Sequence, residues 1–139
     1  MVAHVDFADV GAFDEGRRGR ENGSAADRTT FELVAVDVVA FVSAVDSNEH
    51  LAEAAARGAA KASSQDTAQT VAEDVVKHCT PPWMVQKVMI DDVEYDIGKG
   101  MVSVATLMQM KLPVPLPGYS EISCRASSIE PIVSTPAPN

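Results

Sequence analysis

The hydrophobic pattern of this chain changes its period at Thr80-Pro81-Pro82, and that change limits the possible folds more than any other feature. Before the two prolines, apolar residues recur at steps of three and four; after them, they alternate. The first spacing is one face of a helix at 3.6 residues per turn, and the second is a strand with one buried and one wet face. Neither proline can donate a backbone hydrogen bond, and each pushes the residue before it out of helical geometry, so no helix continues through the pair. The expected class is α+β: an extended arm over residues 1–28, a helical part over 29–80, antiparallel strands over 83–126 and a Pro-rich tail over 127–139. Residues 29–126 read as one domain, since a chain of 139 residues buries roughly 70% of its unfolded surface, enough for one core.

The helical part opens with Thr29 and Glu32, spaced so that hydroxyl and carboxylate each satisfy a free backbone donor at a helix start. Phe31, Val34, Val38, Phe41, Val42 and Val45 then share one helical face. Asp46 and Glu49 repeat the capping pattern, which predicts a second helix over the Ala-rich run from Glu49 to Ala62. From Asp66 another stripe, Ala68, Val71, Ala72, Val75 and Val76, leads up to the prolines. Small side chains throughout suit a close helical hairpin, or packing against another copy.

Beyond the prolines, Val93, Tyr95 and Ile97 alternate with Asp92, Glu94 and Asp96. Asp91-Asp92 and Gly98-Lys99-Gly100 have turn chemistry, so Val85–Ile90, Val93–Ile97 and Met101–Lys111 read as consecutive strands, with Tyr119–Arg125 as a fourth. Pro113, Pro115 and Pro117 confine their segment to a sheet edge or a polyproline-like crossing.

Charge and composition narrow the partners. The net charge of −9 repels polyphosphate at long range, and the one basic cluster, Arg17, Arg18 and Arg20, sits among Asp14, Glu15 and Glu21. Nucleic acid is therefore not expected. The longest apolar candidate, Phe31 to Val45, is interrupted by Glu32 and Asp37, which argues against a membrane span. Asp6, Asp9 and Asp14 stand where a secretory signal carries positive charge, so cytoplasmic synthesis without Sec export is expected. Without that signal, Asn22-Gly23-Ser24 reads as a loop and not as a glycan acceptor.

No constellation points to catalysis or to a cofactor. His4, His50 and His78 are scattered, and His78 beside Cys79 lacks the paired Cys-x-x-Cys of a zinc site; His78 fits the negative end of a helix instead. Asp91, Asp92, Glu94 and Asp96 offer oxygen ligands to a hard cation, yet their spacing lacks the glycine and closing glutamate of an EF-hand loop. Period two already explains three of them as a solvated face. No nucleophile elbow or phosphate-cradling loop is present, and nothing calls for a small-molecule ligand. Cys79 and Cys124 are expected as two half-buried thiols, with a bridge as the alternative.

The run from Val102 to Pro115, VSVATLMQMKLPVP, followed by Tyr119 to Ile129, is similar to the end of a bacterial domain-of-unknown-function family, number twenty-five eighty-nine. The resemblance covers the last third by motif and the middle by pattern. It implies a helical, Ala-rich first half followed by a strand ending in a Pro-x-Pro, here Pro113-Val114-Pro115. Ala105 stands where the family has a proline, and residues 1–28 are additional. Such a family implies a fold and no activity.

The functional expectation rests on the strand half. Val102 to Met108 and Val104 to Met110 are read as placing bulky groups on both faces of one strand, which one helical layer cannot cover. The interface candidates are Val102, Val104, Leu107, Met108, Met110, Leu112, Val114, Leu116 and Tyr119. The expected role is a non-enzymatic assembly subunit forming a homo-oligomer or polymer, as in a filament, viral shell or tail component. The alternative is a monomeric or dimeric adaptor that displays the Pro-rich segment 113–117.

Overall fold

A computed structural model describes residues 26–116 and 119–134. Most of the expected arm and the end of the expected tail lie outside the described residues. Two helices precede three strands: α1 (Ala26–Ala59), α2 (Gln65–His78), β1 (Val85–Asp96), β2 (Met101–Leu116) and β3 (Tyr119–Pro131). The strands form one antiparallel sheet in the order β1-β2-β3, and both helices pack on the same face of it. The class is α+β, with three described strands where four were expected.

The helical part differs from expectation in one respect. α1 is one helix of 34 residues, about 50 Å long, running through the anticipated break at Asp46. The cap-type residues there are absorbed into the helix surface: Ser47 returns its hydroxyl to the Ser43 carbonyl at 2.8 Å, and His50 lies 3.6 Å from Asp46 one turn away. What keeps the helix going is its inner face, where Ala40, Ala44, Ala52, Ala55, Ala56 and Ala59 are all buried. These small residues let the backbone lie close against a sheet whose own side chains are large. α2 begins as its stripe predicts, with Ser64 accepting from the Thr67 N–H as N-cap, and ends at Cys79 ahead of the prolines. Gly58 sets the spacing of the helical hairpin, since a Cβ there would meet Val71 Cγ1 at 3.1 Å.

In the strand half, Asp91-Asp92 is not a turn. β1 continues through it, and the register steps from Ile90↔Thr106 to Asp92↔Ala105, leaving Asp91 as the extra residue of a bulge. The bulge moves the helix-facing positions from Val88 and Ile90 to Val93 and Tyr95. Ile97, expected to be buried, lies in the following turn and is exposed. β3 continues past Arg125 to Pro131, into the expected tail.

β2 corrects the reading of two greasy faces. Val102, Val104, Thr106, Met108, Met110 and Leu112 share one parity, and all are buried beneath the helices. The opposite row is Met101, Ser103, Ala105, Leu107, Gln109 and Lys111, which is mixed and only partly covered. Because Val102 and Val104 have the same parity as Met108 and Met110, these four never stood on different faces.

β2 also outlasts its neighbour. β1 pairing begins at Val85↔Met110, and the Lys111 N–H reaches the Met84 carbonyl at 3.0 Å. Beyond that point α1 takes over, with Asp37 Oδ1 accepting from the Val114 N–H at 2.9 Å. Asp37 is only 5% exposed, and its other oxygen has no hydrogen-bond partner among the described residues.

Candidate functional site

The interface residues expected from sequence divide three ways. Val102, Val104, Met108, Met110 and Leu112 are this chain's own core, so they offer nothing to a partner. Leu107 and Val114 are half-buried, and the side chains of Leu116 and Tyr119 lie outside the described ones. Among the described residues, the densest exposed apolar surface lies elsewhere, on the first half of α1.

That segment is inverted with respect to an ordinary surface helix. Toward the sheet it presents Asp37, Ala40 and Ala44, while Phe31, Leu33, Val34, Val36, Val38, Val39 and Val42 are between 41% and 76% exposed. A surface helix normally turns its large apolar residues inward and its charges outward. The cause of the inversion lies in the sheet, where Met108, Met110 and Leu112 fill the interface and admit only small partners from the helix. α2 packs on the later part of α1, through Ala55, Ala56 and Ala59, and leaves the first half without a second layer. Phe31, Val38 and Val42, expected in one core stripe with Phe41 and Val45, are therefore split from them; Phe41 and Val45 are half-buried.

The exposed residues also have a spacing. Phe31, Ala35, Val38 and Val42 follow one another at steps of four, three and four, the a/d repeat by which helices pair. Trp83, the one tryptophan of the chain, is 80% exposed, and the adjacent Met84 packs in the same cluster as Ala40 and Ala44. Leu33, Val36 and Val39 were missed from sequence, although apolar residues all round the helix between Glu32 and Ser43 were the available signal.

Several of the polar groups singled out from sequence are engaged with neighbours. Asp91 accepts from Arg125 Nε at 2.6 Å, bridging β1 to β3 over the outer face of β2. Asp96 lies 2.8 Å from Lys99 Nζ and accepts from the Lys99 N–H, and the Lys99 hydrogen bond holds its carboxyl below the usual carboxylate range. Asp92 and Glu94 line an open depression of about 480 Å³ with Gln65, Tyr95 and Asp96. Among the described residues no group of three or more His, Cys, Asp or Glu side chains is placed to hold a metal. His78 Nδ1 lies 2.8 Å from the Asp74 carbonyl oxygen, in the last turn of α2.

Cys79 and Cys124 are free thiols in one apolar cluster, and burial raises both above the usual thiol range. The thiolate is the reactive form, so both should be poor nucleophiles at neutral pH. Treatment with iodoacetamide at pH 7 is expected to alkylate Cys79 slowly and Cys124 only after denaturation. Peptide mass spectrometry reads the result, and rapid labelling of Cys124 in the folded protein would contradict its burial.

No helix among the described residues is long and apolar enough to cross a membrane. Comparison of the chain with protein-family models, with curated proteins and with solved structures finds no match in any of the three.

Proposed function

We propose that this chain is a non-enzymatic assembly subunit that packs against copies of itself through the outer face of α1, as in a filament, shell or tail component. The observation that carries this reading is the inverted first half of α1, with bulky apolar groups in water and a buried carboxylate beneath them. Contiguous apolar surface on this scale marks an interaction site more often than a free surface. A second copy is the occupant favoured here. The exposed stripe from Phe31 to Val42 has the repeat that lets a helix pack on its own like, and Ala35 within it permits close approach. The only charged residues between Phe31 and Val45 are Glu32 and the inward-facing Asp37, so the net charge of −9 is concentrated elsewhere.

The adaptor reading draws less support. A display loop at 113–117 should be free, whereas Val114 is tied to Asp37 and both Pro113 and Val114 are half-buried. Size-exclusion chromatography with light scattering tests the assembly reading. The expected result is an oligomer at micromolar concentration; a monodisperse monomer at high micromolar concentration would remove its basis.

A further inference from the structure

Among the described residues β1 and β3 are the two edge strands of the sheet, and the two edges are treated differently. β1 carries two register shifts along its length, and the Gln65 side chain sits against its outer edge. Gln65 Nε2 donates to the Val93 carbonyl at 2.6 Å while its Oε1 accepts from the Tyr95 N–H at 2.8 Å. One amide thus takes the place of a neighbouring strand. Bulges and covered backbone are the usual means by which an edge is protected against a further strand.

β3 carries no bulge from Glu121 to Pro131, although its Cys124 carbonyl accepts from Asn48 Nδ2. Its pairing with β2 runs without a shift from Met101↔Pro131 to Lys111↔Glu121, and no lysine or proline occurs between Glu121 and Glu130. Among the described residues no strand lies on its other side. On the sheet face away from the helices it presents Glu121, Ser123, Arg125 and Ser127.

We propose that the outer edge of β3 pairs antiparallel with β3 of a second copy, about a two-fold axis at Ser123, joining two sheets into one. The charges select this register. A two-fold at Ser123 sets Arg125 of each copy opposite Glu121 of the other, on the same face, whereas one centred at Arg125 or Glu121 opposes like charges. Within the subunit Arg125 reaches across β2 to Asp91 through Nε, so in the pair its guanidinium turns to the carboxylate of the second copy instead. The proposal rests on the assembly reading and extends it, because this edge is a separate surface from the outer face of α1. Two different two-fold contacts on one subunit propagate into a chain of alternating contacts unless geometry closes them into a ring.

The test is disulfide trapping in the full chain. Directly opposed residues of an antiparallel pair lie about 4.5–5.5 Å apart at Cα, inside the disulfide window. Ser123 is exposed, so Ser123→Cys should fold normally and form a covalent dimer under mild oxidation, absent from the wild type with its two native thiols. Ile129→Cys, which this register separates from its counterpart by about 40 Å, should not. Arg125→Glu should lower the Ser123→Cys dimer yield by roughly tenfold, and adding Glu121→Arg should restore it. Restoration reports the contact between copies, because the double exchange leaves Asp91 without its arginine. Oligomers by light scattering with no dimer through residue 123 would overturn the edge pairing and leave the assembly reading standing; monomers with no dimer would overturn both.

Discussion

Val38→Glu combined with Val42→Glu is expected to dissociate the proposed assembly while leaving the subunit folded. Val38 is 55% exposed and Val42 59%, and they lie one turn apart on the outer face of α1. Burying what remains of each contributes about 1 kcal/mol to association, and a glutamate in its place adds the desolvation of an unpaired charge. Together these effects correspond to at least roughly a hundredfold weaker self-association. The isolated subunit should not suffer, because glutamate has a better helix propensity than valine and both positions face water. Light scattering measures the dissociation and a circular dichroism melt checks the fold. Ala40→Glu supplies the contrast: on the buried face of the same helix it should unfold the subunit. A double glutamate variant that still assembles like the wild type would place the contact elsewhere.

The second large effect is expected inside the core, at Asn48. This residue is 1% exposed and lies at the middle of α1, where its Nδ2 donates to the Cys124 carbonyl at 3.0 Å and its Oδ1 accepts from Thr106 Oγ1 at 2.9 Å. One side chain of the helix therefore holds β2 and β3 in register. Asn48→Ala leaves a small cavity and removes the best partner of a fully buried hydroxyl, so a loss of about 2–4 kcal/mol is expected. Asn48→Leu with Thr106→Val removes both halves of the pair and should recover most of that loss, since it leaves no orphaned donor. Urea denaturation of the two variants gives the comparison. If the double variant were no more stable than Asn48→Ala, the pair would be contributing through shape and not through its hydrogen bonds.

Much of the architecture is legible from residue spacing because spacing reports which face is buried. The prolines at 81 and 82 divide helices from strands, the stripe from Ala68 to Val76 becomes α2, and the alternation at Val93 and Tyr95 survives in β1. Three features are not legible in this way. Asp46 and Glu49 have the chemistry of a cap, and only the long buried row of alanines on the other side of α1 explains why the helix ignores them. Asp91-Asp92 has the chemistry of a turn, and only pairing to an unbroken β2 turns it into a bulge. Residue size points to β2 as the candidate surface, because large apolar residues on a strand favour contacts. Here the large residues of the sheet face small ones on the helix, and the surplus of large residues sits on α1.

The bulge at Asp91 makes the length of β1 matter more than its composition there. Were the bulge straightened into an unbroken ladder, Asp92 and Glu94 would turn beneath α2 and Val93 and Tyr95 would come out into water, with the Tyr95 hydroxyl losing its bond to the Ala62 carbonyl. Holding one extra residue out of the ladder is thus what keeps the rest of the strand in phase. By comparison, almost any exchange of the Asp91 side chain is a local change.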